Sequence, residues 1–109
     1  SNMSPLIIKS DDGITTIGSP GADRISSAIA QVILNYSKSN NWKQAIDKPR
    51  FHVNGDGTIR AEPGSLRFNK DITITEEYDM YFGGVCVSGL NSGVFSHGDK
   101  RRGDTSWIN

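Results

Sequence analysis

The sequence predicts an α+β domain in which a mostly antiparallel sheet of about five to seven strands carries two helices on one face. Two observations predict this class. An apolar stripe with helical spacing covers residues 25–36, and two pairs of β-branched runs are each joined by a short turn containing Asp-Gly. A length of 109 residues corresponds to one small domain or to a piece of a larger one.

The first half of the chain contains two predicted hairpins. Residues 6–9 and 14–17 are strand-like and flank Ser10-Asp11-Asp12-Gly13, while residues 51–53 and 58–61 flank Asn54-Gly55-Asp56-Gly57. Asp-Gly between apolar β-branched runs is a strong hairpin signal. Each pair should therefore form two antiparallel strands.

The predicted long helix runs from about residue 23 to residue 38. Its apolar stripe consists of Ile25, Ala28, Ile29, Val32, Ile33 and Tyr36. Burial of such a stripe stabilises a fold by roughly 1.5–3 kcal/mol for each large side chain, so this helix should anchor the core. A second, short helix with Trp42 should follow, capped by Asn40 or Asn41 and stopped by Pro49.

The second half gives weaker signals. Residues 72–75 alternate as in a half-buried strand, and residues 81–87 and 93–96 predict two more strands, joined by residues 88–92. Residues 99–104 are charged and should be irregular. Arg101 and Arg102 are expected to be solvated or ion-paired rather than to form a binding patch.

Composition excludes several classes of function. The formal net charge is zero, so nothing predicts binding to nucleic acid or to an anionic membrane. A single cysteine excludes an internal disulfide, and Cys86, between two valines, should be a buried strand residue. Two histidines and one cysteine, far apart in the sequence, form no recognisable metal set. We therefore expect neither a metal nor another cofactor.

The main functional signal is the glycine-rich turn at residues 18–24, which joins a predicted strand to the long helix. Backbone N–H groups at a helix start are unpaired and lie at the positive end of the helix dipole, so they can hold an anion or the oxyanion of a reacting carbonyl. The alternative is a plain chain reversal by Pro20 and the glycines. The turn lacks the phosphate-binding lysine and the G-x-G-x-x-G spacing typical of nucleotide sites.

Three stretches resemble the C-terminal part of the small subunit of γ-glutamyltransferases (γ-glutamyltranspeptidases). Residues 1–5, Ser-Asn-Met-Ser-Pro, are similar to the family's Ser-Ser-Met-Ser-Pro, and residues 18–25, Gly-Ser-Pro-Gly-Ala-Asp-Arg-Ile, to its Gly-Ser-Pro-Gly-Gly-x-Arg-Ile. Residues 45–52 match an Ala-(x)₃-Pro-Arg-Phe-His pattern. Residues 98–101 weakly resemble an Asp-Pro-Arg ending. The resemblance covers nearly the whole chain, and its first half is the most specific.

The resemblance implies a fold, a reaction and a set of site residues. The fold would be part of the four-layer αββα sandwich of N-terminal-nucleophile hydrolases. The reaction would be transfer of a γ-glutamyl group from glutathione or a similar donor to water or an amine. Gly21 and Ala22 would supply the oxyanion-hole N–H groups, and Ser1 and Asn2 would hold the glutamyl α-carboxylate.

The sequence departs from the family pattern in places. The family has a glycine where this chain has Ala22. Alanine keeps the N–H donor but would be strained at positive φ. Asn2 stands for a serine, and residues 1–3 are in part a candidate cloning remnant. The stretch from Ser65 to Asp79 is shorter than in the family.

The resemblance also implies that the nucleophilic threonine belongs to a segment N-terminal to this chain. The chain alone should then be inactive, and its partners would be a γ-glutamyl substrate and the remainder of the enzyme. Without the second sheet of the sandwich, one sheet face would expose apolar side chains, and a homodimer would cover it. Those side chains would come from Ile7, Ile14, Val53, Ile72, Ile74, Val85 and Val87. The alternatives are a non-catalytic assembly module derived from this family and, less favoured, a small-anion or nucleotide-binding domain.

Overall fold

An antiparallel sheet with two helices on one face forms the main body of the domain. The computed structural model describes residues 5–11, 13–20, 24–65, 72–74, 80–91, 93–103 and 106–108, with the backbone alone for residues 72–74, 80 and 106–108. The helices are α1 (Ile25–Ser39) and α2 (Trp42–Asp47). The strands are β1 (Leu6–Ser10), β2 (Gly13–Gly18), β3 (Phe51–Val53), β4 (Ile59–Ala61), β5 (Ile72–Ile74), β6 (Cys86–Leu90), β7 (Val94–His97) and β8 (Ser106–Ile108).

Both predicted hairpins are confirmed. β1 pairs antiparallel with β2, with Leu6 opposite Ile17, and β3 pairs antiparallel with β4, with Phe51 opposite Ala61. In the main sheet the strand order is β1-β2-β6-β7-β8, and every neighbouring pair is antiparallel. The hairpin β1–β2 therefore continues through β6 into the C-terminal strands.

The two predicted helices are confirmed within two residues of the expected bounds. On α1, the buried positions are Ile25, Ala28, Ile29 and Val32, all from the predicted stripe. They pack against Ile17 of β2 and Val87 of β6, and so cover one face of the main sheet. The side chain of Asn41 caps α2 by accepting a hydrogen bond from the backbone N–H of Gln44 at 3.0 Å. The helical half of the core is thus dictated by local sequence.

The strands form two sheets within the described residues, where the sequence led us to expect one. β3, β4 and β5 make a separate three-stranded sheet in which β4 and β5 are parallel. Short runs of three residues predict a strand but not its partner, because pairing depends on tertiary packing. The small sheet is joined to α1 by hydrogen bonds between Gln31 and Phe51.

The predicted strand at residues 81–87 is wrong in its first half. Met80–Phe82 form a short 3-10 turn, and Gly83 follows with φ of +87°, a conformation that ends strand geometry. The strand begins only at Cys86 and runs through residues expected to form a loop. Phe82 and Val85 are nevertheless buried, so this irregular segment belongs to the core. β8 was not predicted.

The second face of the main sheet, which we call the open face, is uncovered by described residues. Ile14, Leu90 and Val94 lie opposite one another across β2, β6 and β7, and Ile7 lies on the same face of β1. All four are exposed, Ile7 by 63% and Leu90 by 55%. Between them Thr16 Oγ1 lies 3.1 Å from Ser88 Oγ.

The expected membership of this face needs correction. Val85 and Val87 are fully buried, and Val87 lies opposite Ile17 on the covered face of the sheet. Val53 is exposed but belongs to the small sheet. Cys86, expected to be buried, is exposed on the open face opposite Gly18. The side chains of Ile72 and Ile74 lie outside the described residues.

Neither described helix is long and apolar enough to cross a bilayer.

Candidate active-site loop

The glycine-rich turn has the predicted strand–turn–helix context. β2 ends at Gly18, Arg24 forms the entry to α1, and the helix proper begins at Ile25. Residues 21–23 lie outside the described residues, and so do Ser1 and Asn2. The roles of Gly21, Ala22, Ser1 and Asn2 therefore stay predictions, while both flanks of the turn can be described.

The flank before the turn is held by a buried serine. Ser19 is fully buried, and its hydroxyl donates a hydrogen bond to the carbonyl oxygen of Pro20 at 2.7 Å. The same hydroxyl accepts one from the backbone N–H of Gly84 at 3.1 Å. One side chain thus uses both its donor and its acceptor capacity to join the turn to the segment before β6.

The flank after the turn is held by Arg24. Its Nε–H donates to the carbonyl oxygen of Tyr81 at 2.6 Å, and its guanidinium lies 4.2 Å from the centre of the Tyr81 ring. Arg60 from β4 also lies 4.2 Å from that ring, and the Tyr81 hydroxyl donates to Asn54 Oδ1 at 2.8 Å. Cation–π contacts of this kind stabilise each guanidinium where water is partly excluded.

A buried charged cluster lies next to residues 82–85. It is formed by Arg50, Glu62, Asp99 and Arg101. Arg50 Nη2 lies 2.7 Å from Asp99 Oδ2, and Arg101 forms ion pairs with both Glu62 and Asp99. The side chains of these four residues are almost completely buried. Two cations and two anions make the cluster neutral, which is the arrangement that low dielectric tolerates.

The cluster shifts the pKa values of its members in opposite directions. Burial lowers the pKa of Arg50, against the attraction of Asp99. Burial alone would raise the pKa of Asp99, but the Arg50 guanidinium and the backbone N–H groups of Arg101 and Val85 hold it below its ordinary value. For Arg101, burial is outweighed by Glu62 and Asp99, which raise its pKa.

The cluster also fastens separate parts of the backbone. Arg50 Nη1 donates to the carbonyl oxygen of Phe82 at 2.8 Å, and Asp99 Oδ2 accepts from the N–H of Val85 at 2.9 Å. Arg50 and Arg101 both donate to the carbonyl oxygen of Ile46 in α2. Segments far apart in sequence are therefore fixed around one neutral charge centre.

The Pro-Arg-Phe-His stretch is joined to α1 by a glutamine. Gln31 Nε2 donates to the carbonyl oxygen of Phe51 at 2.7 Å, and Gln31 Oε1 accepts from the N–H of Phe51 at 3.0 Å. His52 is partly buried, with its ring edge-on to Tyr81. Gln31 and Arg50 thus hold this stretch in place by hydrogen bonds and an ion pair.

Sequence reasoning missed the contribution of residues 81–84. The Gly83-Gly84 pair was a usable signal, since glycines inside a strand pattern indicate a bend or a close backbone approach. The ion pairing of Arg101 agrees with expectation, although its burial does not, and Arg102 is exposed. Among the described residues, no group of three potential ligands could hold a metal ion.

Comparison with protein families gives a match over most of the chain. The family model described as gamma-glutamyltranspeptidase matches residues 1–78. A glutathione hydrolase proenzyme of Bacillus subtilis strain 168 is 36% identical over 66 residues, which are 59% of this chain and 11% of that protein. A protein of the same name from Bacillus subtilis subsp. natto is 35% identical over 66 residues and the same shares. The chain thus matches about a tenth of the length of these relatives.

Comparison with solved structures gives the same fold. The transpeptidase CapD of Bacillus anthracis superposes with a TM-score of 0.82 at 23% identity, over 98% of this chain and 70% of that one. A γ-glutamyltranspeptidase from Pseudomonas nitroreducens superposes with a TM-score of 0.70 at 24% identity, over 93% of this chain and 58% of that one. The described arrangement of sheets and helices is therefore part of a larger fold in these proteins.

Proposed function

Because the chain belongs to the γ-glutamyltranspeptidase family, we propose that it is the oxyanion-hole portion of an enzyme that transfers or hydrolyses γ-glutamyl groups. The observation that carries the proposal is the turn between β2 and α1. It has the family's Gly-Ser-Pro-Gly motif, lies within the matched residues and leads directly into a helix. A helix start is where backbone N–H groups are available to a developing anion.

In this proposal the backbone N–H groups of Gly21 and Ala22 receive the oxyanion of the tetrahedral intermediate. Fixed donors of this kind lower the barrier by roughly 2.7–4 kcal/mol each, because they are already aimed at the charge when it forms. Ser1 and Asn2 bind the α-carboxylate of the γ-glutamyl donor. The family match begins at residue 1 and so includes both residues, which supports assigning them a role.

The attacking group comes from outside this chain. The resemblance assigns the nucleophile to an N-terminal threonine in a preceding segment, so these 109 residues by themselves hydrolyse no γ-glutamyl amide. The relatives are far longer than the matched stretch, and the solved neighbours also extend beyond it. The rest of the enzyme is accordingly the natural partner of this chain.

The test is substitution of Gly21 by proline in the complete protein. Gly21→Pro removes one N–H donor, and kcat with a chromogenic γ-glutamyl anilide should fall about 10²–10³-fold. Gly55→Ala is the matched control, because a Cβ there meets no atom within 4 Å. A near-normal kcat for Gly21→Pro would overturn the assignment of the hole.

A second candidate function is supported by the open face. Ile7, Ile14, Leu90 and Val94 form an apolar surface that a non-catalytic assembly module would use to bind a partner. The isolated chain should form a homodimer through this face in either case. A complete protein that lacks a nucleophilic threonine and shows no turnover would favour the assembly function.

A further inference from the structure

We propose that residues 81–84 are the mount that positions the oxyanion loop, with Ser19 and Gly83 as its positioning residues. This inference rests on the proposed function of residues 21 and 22 and adds the element that fixes them. Neither Ser19 nor Gly83 touches the reacting atoms in this proposal. Both act through the backbone of the turn.

The first support is the hydrogen bonding of Ser19. Its hydroxyl bridges the Pro20 carbonyl oxygen and the Gly84 N–H, at 2.7 and 3.1 Å. Pro20 directly precedes Gly21, so the bridge holds the carbonyl group of the residue that leads into the proposed donors. A fully buried hydroxyl with both partners satisfied holds this geometry without competition from water.

The second support is the close approach of Gly83. With φ of +87°, a Cβ at this position would lie 2.6 Å from Ser19 Oγ and 3.3 Å from the Pro20 carbonyl oxygen. It would also lie 3.2 Å from the Cβ of Ala28 in α1. Only glycine combines this conformation with this distance. The mount therefore packs directly against the start of the turn, just after β2, and against α1.

The third support lies on the far side of the turn. Arg24 Nε donates to the Tyr81 carbonyl oxygen at 2.6 Å, and the Arg24 guanidinium stacks on the Tyr81 ring. Residues 19–20 and residue 24 thus attach to the same four-residue segment. Only three residues separate the two attachments, so we expect the conformation of residues 21–23 to depend on the mount.

The mount is itself held in place by neighbouring residues. Phe82 is buried and its carbonyl oxygen accepts a hydrogen bond from Arg50, while Asp99 binds the N–H of Val85. The stem of Arg102 fills the space beside Gly84, where a Cβ would lie 2.2 Å from Arg102 Cδ. Preorganised donors need such a rigid supporting layer, because small displacements of a reacting group lower rates strongly.

The experiment compares Ser19→Ala, Gly83→Ala and the double variant in the complete protein. Each single variant should lower kcat about 10–100-fold and leave KM within about threefold, because the donors are displaced while the carboxylate site is untouched. The double variant should be less than multiplicative, since removal of Ser19 Oγ relieves the closest contact of the new Cβ. Ile59→Val, in the small sheet, controls for general loss of stability.

A second measurement reads the loop directly. Amide hydrogen exchange of residues 21 and 22 in the 109-residue chain should accelerate in Ser19→Ala and stay unchanged in Ile59→Val. Normal kcat and exchange in Ser19→Ala and Gly83→Ala, with a slow Gly21→Pro, would overturn the mount while the proposed function stands. A normal Gly21→Pro would overturn both. Lowered kcat with raised KM in equal measure would also count against a positioning role.

Discussion

The two faces of the main sheet carry similar side chains and have opposite environments. On the covered face Ile17 and Val87 are each 1% exposed beneath α1 and α2, whereas on the open face Ile7 and Leu90 remain mostly exposed. β2 contributes to both, since Ile17 and Ile14 lie three residues apart on opposite faces. The described residues therefore bury one face of the main sheet and leave the other exposed.

The largest expected effect concerns the charged cluster, which joins α2 on the covered side to the rest of the chain. Arg50→Met leaves a net buried negative charge and should lower the free energy of unfolding by about 3–5 kcal/mol. Lys43→Met removes a partly exposed pair with Asp47 and should change it by less than about 1 kcal/mol. Denaturant midpoints measure both. Adding Asp99→Leu to Arg50→Met should restore part of the loss, and a fully additive double variant would contradict a neutral cluster.

The next effect compares the faces on one strand. Ile17→Ala should lower the free energy of unfolding by about 2–5 kcal/mol, because it opens a cavity under α1. Ile14→Ala should lower it by less than about 1 kcal/mol, because that side chain is 43% exposed. Thermal or urea unfolding at low protein concentration gives both values. Equal losses would mean that the open face is covered in the isolated chain.

Acid should lower the free energy of unfolding of the chain through the buried charged cluster. The folded-state pKa of Asp99 is below its ordinary value, so its contribution is present at neutral pH and is lost as pH falls below about 4 through the folded pKa. Asp99→Asn should therefore flatten the dependence of the free energy of unfolding on pH in the acid range. Asp56, whose pKa is lowered by hydrogen bonds from Thr58 in an exposed turn, provides the comparison variant Asp56→Asn. A slope unchanged by Asp99→Asn would contradict the assignment.

The smallest effect on stability, and the sharpest on association, should come from Leu90→Asp. A charge at the centre of the open face should convert the homodimer of the isolated chain into a monomer, seen by sedimentation velocity. Leu34→Asp is the control, since Leu34 is equally exposed but lies on α1, away from this face. If the unaltered chain sediments as a monomer at high concentration, the sheet-to-sheet dimer is wrong.

The sequence predicted the features that depend on interactions between residues close together in the chain. The hairpins, the stripe of α1 and the Asn41 cap depend on residues within a few positions, and all three are confirmed. The separate small sheet and the true start of β6 depend on tertiary packing and could not be read locally. Gly83 interrupts a run whose apolar composition predicts a strand.

The candidate site divides in the same way. Its glycine-rich turn is a local motif and could be found in the sequence. The contacts between the turn and its mount could not be predicted, because Arg24 and Tyr81 are 57 positions apart and Ser19 and Gly84 are 65 apart. The charged cluster likewise joins Glu62 to Arg101 across 39 positions. Charge runs near the end of a chain usually indicate a solvated surface, so nothing local predicted that Arg101 would be buried.

The stacked rings of Tyr36 and Trp42 have a spectroscopic consequence. Their centroids are 3.7 Å apart and their planes differ by 10°, and each ring belongs to a different helix. Two aromatic chromophores in such contact couple optically, so near-ultraviolet circular dichroism and indole fluorescence report whether α1 and α2 are docked. With Trp107→Phe as background, Trp42 becomes an intrinsic probe of the covered side.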